Sequence, residues 1–401
     1  MRLAWGRQEL ELELGRARLV EARRGPMPPP LADLAAATES ALAEPFQFPQ
    51  LRRALTPEDH VVVVLDPMLA HPEVLLPPLL RHITEARVDP SAITLLCPAA
   101  EQSQTWIDQL PEAFQEIRVE THHPEDRKKL AYLATTQGGR RIYLNRSAVD
   151  ADQTIVVTRR FYDGHLGYAG GPGVVFPGLS DDEVRTESRA KVSMKVPGSK
   201  SFTMKHDAEE ITWLMGAPFF LQVVEGQGGE PIHVVAGTLE ACHEAERRLD
   251  AAWHVQLDEP SDLVVATLIG DPASHSFDDM ARAVAYATRA VKPGSRVVLV
   301  CDADPELGPA SQILREMEEP RAARKRLLEE APVDLEAGFL WATAAERAKL
   351  YVFSQMSPDT IEEMYATPLD KATQVGKLIA AAETVAYLPD AHRTWATVKR
   401  D

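Results

Sequence analysis

The chain is poor in cysteine, in basic charge and in long apolar runs. Three cysteines, Cys97, Cys242 and Cys301, are spread over 401 residues. Each sits in or near an apolar run, so buried free thiols are expected rather than a disulfide framework or a zinc centre, and no metal-ligand set is expected. Lys and Arg number 43 against 60 Asp and Glu, a formal net charge of −17. So acidic a chain argues against a nucleic-acid partner, because phosphate binding draws on a basic surface. A small anion held in a local pocket stays compatible with that charge. No run approaches the ~20 apolar residues of a membrane helix, so no membrane partner is expected. The segment MRLAWGRQELELEL lacks the apolar core of a signal peptide, and the expected location is the cytoplasm.

What is present is an ordinary globular balance in a chain too long for one core, so two domains are expected. Residues 7–14 alternate polar and apolar, the period of a half-buried strand, and Gly25-Pro26-Met27-Pro28-Pro29-Pro30 reads as a stiff connector. Val61-Val62-Val63-Val64-Leu65 is apolar on both faces, as strands of a parallel sheet buried between helices are. A helix over 74–86 and strands over 92–97 and 117–120 follow, and strand–helix–strand alternation implies a parallel sheet with right-handed crossovers. A second unit is expected from a hairpin, Phe219 to Val224 and Ile232 to Ala236, turning at Gly226-Gln227-Gly228-Gly229. Strand 262–269, helix 277–291 and strand 296–300 continue it, and helices prevail afterwards. The expected architecture is α/β: two parallel or mixed-sheet α/β domains, residues 1–215 and 216–401 (the latter with a helical extension), with the site in the cleft between them.

The most informative stretch is DQTIVVTRRFYDGHLGYAGGPGVVFPG, residues 152–178. It reads as a buried strand, a polar turn carrying Arg159, Arg160, Asp163 and His165, and a glycine-rich loop from Gly164 to Gly173. Strands fix position, while glycines let backbone N–H groups approach a ligand. In open α/β sheets ligands gather past the carboxyl ends of strands. Asp66, Glu101, Arg160, Asp163 and His165, with Arg282 from the second unit, are therefore candidates to line one anion-binding crevice. Structural alternatives stand beside them. Glu101 is placed equally well to cap a helix over 102–110, and Asp163-Gly164 to open a turn. His122-His123 does not suit one metal ion, since neighbours on an extended chain point opposite ways. Lys191, Lys195, Lys200 and Lys205 form a basic run. Gly198-Ser199-Lys200-Ser201 lacks the first glycine of a phosphate loop at the proper spacing.

The run Gly167-Tyr168-Ala169-Gly170-Gly171, followed by Pro177-Gly178, resembles the signature of the lactate racemase family. These are nickel-pincer nucleotide enzymes that interconvert the enantiomers of a 2-hydroxy acid. Trp5-Gly6-Arg7, His123-Pro124-Glu125-Asp126, Tyr132 to Thr136, Gly139, Ile142 to Arg146 and Ala151-Asp152 follow the family's order and spacing over roughly residues 1–305. The resemblance implies a racemase or epimerase acting on a small anionic 2-hydroxy acid. It also implies a cofactor tethered to a lysine, with nickel held in part by a histidine. At the matching positions this chain departs. Glu101 and Asp163 stand where the family has two catalytic histidines. Gly173 stands at the tethering lysine, beside the cofactor-lining Gly170 and Gly171. Residues 186–191 hold no histidine for nickel. Asp66 is kept, but Leu69 replaces the arginine that follows it. Asp278, Asp279 and Arg282 match a Tyr-Gln-x-x-Lys cluster. The resemblance thus assigns Glu101 and Asp163 (or His165) as paired bases, and Asp66, Arg160 and Arg282 as the substrate's hold. The alternative is a non-catalytic relative that binds a small acid or nucleotide as a sensor or partner protein.

Overall fold

The structure, a computed structural model, describes residues 1–98 and 106–399. Its contacts divide the chain into two compact units: residues 28–226 with 230–250, and residues 1–27 with 227–229 and 251–401. We call these the glycine-loop unit and the terminal unit. Among the described residues no helix is long and apolar enough to cross a membrane.

The glycine-loop unit is built on a mixed sheet. Its strands lie in the order Pro231–Gly237, Phe219–Glu225, Gln153–Asp163, Val61–Leu65, Ile93–Cys97, Arg118–Thr121. All neighbours are parallel except the first pair. Val61–Leu65 is buried at every position, as its unbroken apolar run requires. The central strand Gln153–Asp163 runs eleven residues, well past the Leu65 end of its neighbour. Alternation splits it between two cores. Ile155 and Val157 join Val63, Leu79 and Leu221 on one face; Val156 joins Val64, Phe176, Phe220 and Cys242 on the other.

The break expected at 215/216 is not where the contacts divide. Phe219–Glu225 pairs parallel with the central strand, Phe219 opposite Ile155 and Val224 opposite Arg160. Every residue of it is buried, which suits an inner strand covered on both faces and gives the hairpin to the first sheet. The N-terminal residues in turn join the terminal unit, because Arg18–Val20 pairs with Thr384–Leu388.

The terminal unit holds a wholly parallel sheet in the order Ala366–Pro368, Lys349–Phe353, Val291–Val300, Ser261–Thr267, Thr384–Leu388, Arg18–Val20. Of the alternation expected over 7–14, Gln8–Glu11 forms an antiparallel hairpin with Arg2–Trp5. Trp5-Gly6 has a packing role here. The Trp5 indole donates to Asp302 at 2.5 Å. Gly6 has φ +53, and a Cβ there would lie 2.6 Å from the Asp302 carboxylate.

Candidate functional site

The glycine-rich segment is not an open loop. The turn at 164–166 reverses the chain, and Gly167–Ala169 pairs antiparallel with residues 161–163 of the central strand. The Asp163 carboxylate accepts the backbone N–H groups of His165 (3.1 Å) and Leu166 (2.7 Å), which closes this turn. That is a known role of Asp before glycine. His165 is half-buried, and its Nε2 lies 3.2 Å from the Arg189 carbonyl. This carbonyl ends the helix Asp182–Arg189, whose start is capped by Asp181.

The paired glycines are set by close approach. Gly170 has φ +78, and a Cβ on it would fall 2.0 Å from the Arg159 carbonyl and 2.6 Å from Thr158 Oγ1. Gly171 has φ +54, and its Cβ would meet Arg160 Nη1 at 2.6 Å and Cys242 Sγ at 3.3 Å. Both positions therefore demand glycine for conformation and for space. The chain is thereby laid directly over the carboxyl end of the central strand.

Asp66 stands at that same end. Its Oδ2 accepts the Thr158 hydroxyl at 2.6 Å and the Arg159 N–H at 3.3 Å. Its Oδ1 accepts the Met68 N–H at 2.9 Å. Asp66 thus ties the end of Val61–Leu65 to the longer strand beside it. Leu69, in the place of the family's arginine, packs against the hydrophobic core.

Arg160 is the chemical centre of this corner. Only 2% of it is exposed. Its Nη2 donates to Glu246 Oε1, and Lys205 Nζ donates to the other oxygen of Glu246 at 2.7 Å. One carboxylate therefore serves two cations. Arg160 Nε and Nη1 have no hydrogen-bond partner among the described residues. Gln222, 0% exposed, is placed beside them: its register partner is Thr158, so it shares a face with Thr158 and Arg160. Both its amide oxygen and amide nitrogen also lack partners among the described residues. Groups this deeply buried are almost always satisfied, and each that is not demands a reason.

The outer wall is equally ordered. Tyr162 and Tyr168 donate to the two oxygens of Asp250, each at 2.8 Å. Burial and the Asp250 charge both raise the Tyr168 hydroxyl above its ordinary range. Lys205 Nζ lies 4.9 Å from the centre of the Tyr168 ring. Burial pushes the Cys242 thiol up to about 12, so it is present as the neutral thiol. Sequence reasoning missed Gln222, Glu246 and Asp250. The signal was there: Cys242, Glu246 and Asp250 recur every four residues along the helix Leu239–Trp253, within the stripe of buried Ala241, Ala245 and Leu249. Carboxylates inside an apolar stripe mark buried partners.

The remaining expected site residues fall elsewhere. Arg282 belongs to the terminal unit, on the helix Phe277–Ala287. It pairs with Asp278, and lies 3.7 Å from both Asp279 and Glu336. Burial opposes its charge, but these carboxylates outweigh burial and hold the guanidinium above its ordinary range. Glu101 lies outside the described residues. His122 and His123 diverge as expected: His122 Nε2 lies 2.9 Å from the Ser180 carbonyl, while His123 sits beside Glu125.

The family's cofactor does not fit the described residues. Gly173 has no side chain to carry a tether, and Leu166 Cδ1 lies 2.4 Å from where its Cβ would be. Among the described residues no three His, Cys, Asp or Glu side chains converge as a metal site.

This corner, with glycines pressed onto a strand end beside a buried arginine, belongs to a two-unit α/β protein. Comparison with known proteins gives the class its name. Residues 5–198 match the lactate racemase N-terminal domain family, and the chain is similar to lactate racemases. A curated relative, "Lactate racemase" of Thermoanaerobacterium thermosaccharolyticum, is 19% identical over 86% of this chain and 84% of its own length. The solved structure of the lactate racemase apoprotein from that organism shares the fold at a TM-score of 0.83, with 16% identity, covering 100% of this chain and 99% of that one. A crystal structure of a protein from Thermotoga maritima aligns at 0.63 with 15% identity, over 91% and 98% of the two chains.

Proposed function

We propose that this protein binds a small 2-hydroxy acid non-covalently at the glycine-loop corner, as a family member that works without the tethered cofactor. One observation carries the reading: unspent hydrogen-bonding groups on Arg160 and Gln222, both buried at the carboxyl end of the central strand. Arg160 offers donors to a carboxylate, and such charge-assisted bonds are the strong ones. Gln222 offers a donor and an acceptor, which suits a neighbouring hydroxyl. Arg160 and Lys205 share Glu246, and Lys205 also lies 3.8 Å from Glu209, so the offer to an incoming anion is the unspent Arg160 donors.

A second reading is a racemase or epimerase of a small 2-hydroxy acid. It draws on the match over 86% of the chain to a protein named lactate racemase. It would require bases at Glu101 and at Asp163 or His165. The Asp163 carboxylate accepts two backbone N–H groups of its own turn, which favours the binding reading.

The test is calorimetric titration of the purified protein with L-lactate and D-lactate, beside Arg160→Gln and Gln222→Leu, with chiral chromatography of the same mixtures. The binding reading expects saturable binding of lactate, weakened at least ~10-fold by Arg160→Gln, since bonds to a charged group carry ~1.5–3 kcal/mol. It expects no interconversion of the enantiomers. Racemisation of either enantiomer would establish the second reading; absence of saturable binding would remove the first.

A further inference from the structure

The terminal unit has a cavity that plays no part in that reading. It lies past the carboxyl ends of two neighbouring parallel strands, Arg18–Val20 and Thr384–Leu388, where parallel sheets gather ligands. Its volume is about 310 Å³, at the lower end of the ~300–1,000 Å³ typical of small-molecule sites. Val20, Val255 and Leu388 form an apolar wall.

The polar groups around it are unequally available. The Tyr387 hydroxyl accepts the Ala4 N–H at 3.0 Å and lies 3.3 Å from Thr267 Oγ1. The Arg23 guanidinium is held by Asp258 at 2.7 Å. Arg24 is exposed; its guanidinium lies 5.9 Å from the centre of the Trp253 ring, and it has no carboxylate partner among the described residues. Glu21, also exposed, lines the same cavity. One available guanidinium next to a carboxylate suits a single negative charge. A phosphate or a dicarboxylate would set its second charge against Glu21.

We infer that this cavity binds a monocarboxylate with a short apolar body. The body lies against Val20, Val255 and Leu388, and the carboxylate meets Arg24. Contact area supplies the attraction of the apolar part, and Arg24 supplies selection for the acid over its neutral analogue.

The probe is octanoate, titrated calorimetrically into the full chain, with octanamide and inorganic phosphate alongside. Saturable octanoate binding is expected, at least ~10-fold tighter than octanamide, with phosphate weaker than both. Arg24→Gln should weaken octanoate at least ~10-fold and leave octanamide unchanged. Ala22→Trp, which fills the cavity from its wall, should abolish binding of both. Arg160→Gln should leave octanoate binding intact, which separates this site from the glycine-loop corner. The inference is overturned if octanoate does not saturate, if octanamide binds equally, if phosphate binds more tightly, or if Arg24→Gln has no effect.

Discussion

Among the described residues two arginines are deeply buried, one in each unit, and they are held in different ways. Arg160 shares the single carboxylate of Glu246 with Lys205. Arg282 faces three carboxylates, Asp278, Asp279 and Glu336. In the first cluster the Arg160 Nε and Nη1 donors have no hydrogen-bond partner among the described residues; in the second the guanidinium is ringed by carboxylates. A buried charge is tolerated only when compensated, and the donors left over say what each place can still accept. Arg282 has carboxylates enough within its own unit and serves to hold the start of its helix. Arg160 keeps two nitrogens, Nε and Nη1, without a hydrogen-bond partner among the described residues.

The largest expected effect lies at Arg282. Arg282→Met removes the buried cation that Asp278, Asp279 and Glu336 surround and should lower stability by about 3–5 kcal/mol, read by urea unfolding. Arg160→Gln should cost less, about 1–3 kcal/mol, because Lys205 still neutralises Glu246. Equal losses at the two positions would break the comparison.

The glycines sharpen it at smaller scale. Gly170→Ala must place a Cβ against the Arg159 carbonyl at a positive φ, so a loss of about 2–3 kcal/mol is expected. At Gly173 the obstacle is the tip of Leu166, which can turn aside, so Gly173→Ala should cost about 1 kcal/mol. The order of the two melting temperatures checks this. Were Gly173→Ala the more damaging, the corner would be built around Gly173 rather than the Gly170-Gly171 pair.

Much of the framework could be read from residue patterns. Val61–Leu65 declared itself by an apolar run, and the glycine segment by its density of glycine. What stayed hidden were pairings over long sequence distances. No local signal tells that Arg18–Val20 will lie beside Thr384–Leu388, or that Phe219–Glu225 extends the first sheet. The site was hidden for the same reason. Arg160 stood out as a charge at a strand end, but its partner Glu246 lies 86 residues away, and the Lys205 that shares this carboxylate is also remote in sequence. Asp163 and His165 drew attention as ionisable groups among glycines, whereas hydrogen bonding within the turn and to Arg189 accounts for their placement. Gln222 gave no sign at all, because a lone amide in an apolar strand looks like any tolerated polar residue until its burial is known.

The most direct measurement is a crystal structure of the protein soaked with L-lactate. The account predicts the lactate carboxylate within ~2.7–3.1 Å of Arg160 Nη1 or Nε, with the Gln222 amide turned to the ligand. Lactate bound elsewhere, or those donors occupied by ordered water in lactate-saturated crystals, would contradict it.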